Sequence, residues 1–234
     1  MILAINTSTL QFGVALLDEE GTVLAEYFMS EGGTHFGGLM PALNFLVNAS
    51  KRDIQTLKCL AVAIGPGSFT GLRVGLSVAK GLCHALQIPI VGISSLEALA
   101  SQLPYSDLPI TSILDSRKGE FFAAQFAWDN GHELRRTGED ISVRPEDFHS
   151  MLEHRSIFVG NNFSRQGPLI RERLGPPAEL APAFCWNVKA SAVGSLGLKR
   201  FNAQACDDPH RLTPIYLRPP DIRPNPFPLL KDPM

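Results

Sequence analysis

The chain has 234 residues and a formal charge of −2, with a sequence pI of about 6.3. That length suits one large domain or two small ones, each with its own core. A protein that grips an RNA backbone unaided carries a basic excess, because phosphate neutralisation supplies most of that affinity. Any work on RNA therefore calls for a partner's charge. Cys59, Cys83, Cys185 and Cys206 form no C-x-x-C pair, so reduced thiols in a cytosolic protein are expected. Met1–Ile5 reads directly as strand rather than as a secretory leader. The longest apolar stretch, near 72–86, carries Arg73, Lys80 and His84, which excludes a membrane span there.

In chain order, residues 2–5 read as a strand, Asn6–Thr9 as a polar turn, and Phe12–Leu17 as a second strand. Turn residues Asp18–Gly21 precede a third strand over 22–28. Helical spacing runs from Phe36 to Ala49. Cys59–Ile64 is a continuous apolar run, as a strand buried on both faces requires. A glycine-rich turn, a helix over 72–86 and a strand over 88–93 follow.

The second half repeats this order loosely. Strands are expected at 110–114 and 120–128, with a weaker one near Leu134. A helix after Pro145, a strand over 156–160, a helix over 168–174 and a last helix over 190–202 complete it. Two copies of one βββαβα unit, each an open mixed sheet flanked by helices, account for the shared order. The halves are placed at 1–103 and 104–218. Residues 219–234 hold six prolines, a composition that implies an extended or disordered end.

The most informative segment is Gly65-Pro66-Gly67-Ser68-Phe69-Thr70-Gly71-Leu72-Arg73, between a buried strand and a helix. Such a turn brings backbone amides to a helix N-terminus, which suits an anion. A Walker-type loop needs lysine and a hydroxyl after its last glycine, where this chain has Leu72-Arg73. A dinucleotide site needs an acidic residue ending the next strand, and that strand ends Gly92-Ile93-Ser94-Ser95. Glu97 falls beyond it, on a helix. Candidate anion or nucleotide contacts are Gly65, Gly67, Ser68, Gly71, Asn6 and Asp115.

The stretch Ala63–Gly75, with Ser95–Ala100 after the next strand, resembles the TsaB family of bacterial tRNA-modification proteins. Leu3–Thr9, Leu114-Asp115-Ser116-Arg117 and Pro214-Ile215-Tyr216-Leu217-Arg218 resemble its opening, mid-chain and closing motifs. The resemblance implies an actin-like α/β fold of the ribonuclease H-like class. It implies a role in forming threonylcarbamoyladenosine at position 37 of tRNAs that read codons beginning with A. It also implies pairing with the catalytic subunit TsaD and with the ATPase TsaE, or with a second copy when TsaD is absent. The transfer itself is not expected of this chain. No cofactor of its own is implied; ATP or ADP enters with the complex, which also makes most of the tRNA contact.

Three departures accompany the resemblance. TsaD carries an H-x-x-x-H metal pair after the strand that follows its glycine motif, where this chain has Ser94-Ser95-Leu96-Glu97-Ala98. His35, His84, His132, His149, His154 and His210 are dispersed, whereas a transition metal needs three or four converging ligands. Asn6 stands where the family usually has aspartate, and an amide carries no charge to offset a dication. His35-Phe36 stands where the family often has His-Ser. His35 reads as a surface or capping group.

Projected at 100° per residue, the apolar positions of the 36–49 helix cover an arc of about 220°, wider than one core layer needs. The 72–86 helix behaves alike. The excess arc, together with the resemblance, designates Leu39, Met40, Leu43, Val47, Leu76 and Lys80 as partner-binding. Two rival readings remain: an actin-fold ATP-dependent kinase or hydrolase with Asp115 as its acid, and a dinucleotide-binding protein.

Overall fold

The computed structural model describes residues 1–29, 36–116, 119–130, 132–151 and 155–218. His35 and the proline-rich end, 219–234, lie outside the described residues. The first half forms β1 (Ile2–Asn6), β2 (Phe12–Leu17), β3 (Val23–Met29), α1 (Leu39–Ser50), β4 (Cys59–Gly65), α2 (Phe69–Leu86), β5 (Ile90–Ser94) and α3 (Ser95–Ala100). The second forms β6 (Ile110–Asp115), β7 (Phe121–Trp128), β8 (Leu134–Arg136), β9 (Ile141–Val143), β10 (Ser156–Val159), α4 (Phe163–Leu174), β11 (Ala178–Leu180) and α5 (Ala190–Asn202).

The two sheets have equivalent strand orders, β3-β2-β1-β4-β5 and β8-β7-β6-β10-β11, with β9 also paired to β7. In each, the first three strands are antiparallel neighbours and the last two run parallel to the first. The duplication expected from element order is therefore present in the hydrogen bonding.

Side-chain size decides which helix covers which face. On one face of the first sheet, Leu3, Ile5, Val14, Leu16, Leu60 and Val62 meet Leu39, Leu43 and Leu46 of α1 and Leu76, Ala79 and Cys83 of α2. The opposite face carries Ala4, Ala15, Ala61 and Ala63, a period-2 stripe of small residues. That stripe admits α5 at close range, where a methyl on Gly194 would run into Leu17 and one on Gly197 into Ala61. The helix closing the second half by sequence therefore packs on β1, β2 and β4, while α3 packs on β6 and β7. Each half's last helix lies against the other half's sheet.

Several elements differ from expectation. Helix α2 starts at Phe69, because Ser68 caps it and accepts from the Gly71 amide. Asn162 caps α4, which starts at Phe163 and carries Pro168 inside it. The residues after Pro145 form a 3-10 helix, Pro145–Met151. The three-residue strands β9 and β11 are too short to show a period. Among the described residues no helix is long and apolar enough to cross a membrane.

All four cysteines are free. Burial pushes the Cys59 thiol up to about 12 and Cys83 to about 11, whereas Cys206 is exposed. Thiolates are the reactive form. A disulfide-exchange reagent at pH 8 should titrate one thiol in the native chain and four after denaturation. Two or more fast thiols in the native chain would contradict this packing.

Candidate functional site

The β1–β2 turn and the glycine motif hold each other. Asn6 is fully buried; its Nδ2 donates to the Val188 carbonyl at 2.7 Å, and its Oδ1 accepts from the Ser8 amide and hydroxyl at 3.0 and 2.7 Å. Thr7 Oγ1 donates to the Gly71 carbonyl at 2.7 Å. It enters a space that exists because Gly75 has no Cβ. The Ser68 amide donates to the Ser8 carbonyl at 2.6 Å, and Gly67 lies so close to that carbonyl that no side chain fits.

The closing motif lies across the same turn. The Ile215 amide donates to the Ile64 carbonyl at 2.7 Å, and a Cβ on Gly65, whose φ is +115°, would stand 2.7 Å from the Ile215 carbonyl oxygen. Tyr216 packs on Phe69 with ring centroids 5.2 Å apart. The Arg73 guanidinium lies 3.9 Å over the Phe69 ring and donates through Nε to the Tyr216 hydroxyl at 3.0 Å.

Asp115 ends β6, the second-half equivalent of β1. Its Oδ1 accepts from Gln166 Nε2 at 3.0 Å, and Arg165 stands 3.5 Å from Oδ2. Gln166 is fully buried, and its Oε1 accepts from the amides of Asn161 and Asn162. Asn161 Oδ1 in turn accepts from the Asp115 amide at 2.9 Å.

These pieces enclose a cleft of about 480 Å³ between the halves. Its walls are the β1–β2 turn at Ser8–Leu10, the glycine motif at Gly67–Phe69, the end of β6 at Leu114–Ser116, Asn161 with Arg165, and Ile215–Arg218. Of the six candidate contacts, Gly67, Ser68 and Asp115 line it; Asn6, Gly65 and Gly71 do not. Part of the turn's donor capacity is used within the chain. The Ser68, Gly71 and Leu72 amides already serve the Ser8 carbonyl, the Ser68 hydroxyl and the Ser68 carbonyl. Both Asp115 oxygens face donors, Gln166 Nε2 and the Arg165 guanidinium. Among the described residues no three His, Cys, Asp or Glu side chains gather as metal ligands.

The partner-binding set divides. Leu39, Leu43 and Leu76 are 1%, 3% and 5% exposed and point into the core, so they are corrected from surface to packing residues. Met40 is 50% exposed, and Val47 and Lys80 are half-buried. Phe45, absent from that set, is 63% exposed and meets Tyr27 edge-on. Arg165 and Asn161 were missed as well. The Gly160-Asn161-Asn162 turn before α4 occupies the position that the glycine motif holds before α2, which was the available signal.

The family model described as TsaD, tRNA N6-adenosine threonylcarbamoyltransferase, matches residues 24–154. The chain is 36% identical to the tRNA threonylcarbamoyladenosine biosynthesis protein TsaB of Bacillus subtilis (strain 168), over 93% of each chain. The chain belongs to the TsaB family. It is 29% identical to the TsaB protein of Escherichia coli (strain K12), over 73% of this chain and 75% of that one. The solved structure of YeaZ from Pseudomonas aeruginosa superposes with a TM-score of 0.76 at 25% identity, covering 92% of this chain and 99% of that one. An activator of 2-hydroxyisocaproyl-CoA dehydratase from Clostridium difficile superposes with a TM-score of 0.51 at 10% identity, covering 87% and 97%. That likeness is one of fold alone. The actin-like fold expected from the resemblance is the fold of this TsaB family member.

Replacing Asn6 by aspartate, the residue expected in the family, removes the donor to Val188 and sets a carboxylate against its carbonyl. Urea denaturation of Asn6→Asp should show a loss of about 1–3 kcal/mol, the cost of a buried polar group left unsatisfied. An unchanged midpoint would mean that this hydrogen bond contributes little.

Proposed function

We propose that this chain acts in forming threonylcarbamoyladenosine at position 37 of tRNA, as a non-catalytic subunit that pairs with a TsaD-like transferase. A TsaE-like ATPase joins the assembly, and the tRNA is held mainly by the partners. The chain needs no cofactor of its own, works in the cytoplasm, and pairs with a second copy when its partner is absent. Support comes from the TsaB names of its relatives and the match to the TsaD family model.

The observation that carries the non-catalytic part is the state of Asn6. A first-strand group that served a metal or a phosphate would face the cleft. Here it is buried, uncharged and held by three hydrogen bonds within the chain. The exposed side chains Met40 and Phe45 supply apolar surface on α1 for a partner. On α2, Val74, Val78 and Leu82 are half-buried, and Gly81 has open space around it, room for a close-packed helix.

Reconstitution tests the reading. The isolated chain, supplied with tRNA, a preformed activated threonylcarbamoyl donor and ATP, should make no threonylcarbamoyladenosine, and its addition to the TsaD-like and TsaE-like subunits should raise formation. Product or ATP turnover from the isolated chain would overturn the reading in favour of an actin-fold enzyme. Met40→Asp and Phe45→Asp should each weaken pairing with the TsaD-like subunit about tenfold or more by sedimentation, since exposed apolar anchors dominate such interfaces. Their melting temperatures should match that of the unmodified chain. Unchanged pairing in both would remove α1 from the interface.

A further inference from the structure

We propose that the strap Pro214–Arg218 couples helix α2 to the second half's wall of the cleft, so that a partner seated on α2 is felt at the start of β7. This rests on the functional reading above, which places the partner on the α1 and α2 faces.

Helix α2 has 18 residues without proline, and so is a stiff rod about 27 Å long. Its first turns grip the strap, through the Phe69–Tyr216 ring pair and the hydrogen bond from Arg73 to the Tyr216 hydroxyl. Two residues further on, Arg218 crosses to the second half, where its Nη1 lies 3.3 Å from Glu120 Oε2. Glu120 precedes β7 directly, and its Oε2 also accepts from Ser142 of β9 at 3.1 Å. The Ile215 amide, bonded to the Ile64 carbonyl, anchors the strap to the end of β4 just ahead of its grip on α2.

A partner that restricts α2 lowers the conformational freedom of whatever α2 holds. Through the strap that includes Glu120, so ordering at one face reduces fluctuation at the other without a change of shape. The ion pair is half-buried on both sides, Glu120 more so than Arg218. Its removal cuts the path while leaving both helix faces in place.

Hydrogen exchange read by mass spectrometry on the full chain, with and without excess TsaD-like subunit, tests the coupling. Pairing should slow exchange over 120–128 by about fivefold or more. Arg218→Gln and Glu120→Gln cut the same contact from opposite ends. In both, pairing affinity and the slowing over 69–86 should persist, while the slowing over 120–128 disappears. Equal slowing over 120–128 in these variants, or none in the unmodified chain within a formed complex, overturns the coupling alone. Failure to form any complex overturns the functional reading, and the coupling with it.

Discussion

The mutual hold between the β1–β2 turn and the glycine motif is the constraint on which the remaining structure depends. Asn6 reaches forward to Val188, just ahead of α5, while Thr7 and Ser8 reach across to the start of α2. One three-residue turn therefore positions the beginnings of two helices on opposite faces of the first sheet. Gly67 and Gly75 are needed because backbone and hydroxyl oxygens occupy the space their side chains would take. In an actin-like fold such turns can face a ligand. Here the polar groups turn inward and join the strands to the helices.

The small-residue face of the first sheet has a second consequence. Because Ala4, Ala15, Ala61 and Ala63 leave room for α5, the end of the chain returns to its beginning. Asp207 then ties the following segment to β5, accepting from the Gly92 amide at 2.7 Å, with Arg200 donating to the Gly92 carbonyl at 2.6 Å. That knot covers the outer edge of β5, an exposed row of backbone groups that would otherwise invite pairing. It also delivers the closing motif to the cleft. Motifs separated by some two hundred residues meet there because of packing rather than proximity in the chain.

The division of labour between the two faces of the first half follows from the same arrangement. The α5 face is closed by close contacts of small residues. The α1 and α2 face carries larger side chains, enough to fill a core layer and still leave Met40 and Phe45 in solvent.

Element order, the duplication and the motif turns were legible in the sequence, because buried strands write continuous apolar runs and turns write local chemistry. The starts of α2 and α4 were not, being set by the caps Ser68 and Asn162. Short strands β9 and β11 were not, since three residues carry no period. Nor was the burial of Leu39, Leu43 and Leu76, because a helical wheel measures the width of an apolar arc and not which part of it the sheet covers. The residue types at Asn6 and Asp115 were set by the sequence. Whether they faced a cleft or the interior was decided only in three dimensions, where Val188, Gln166 and Arg165 arrive from distant elements to take up their hydrogen-bonding capacity.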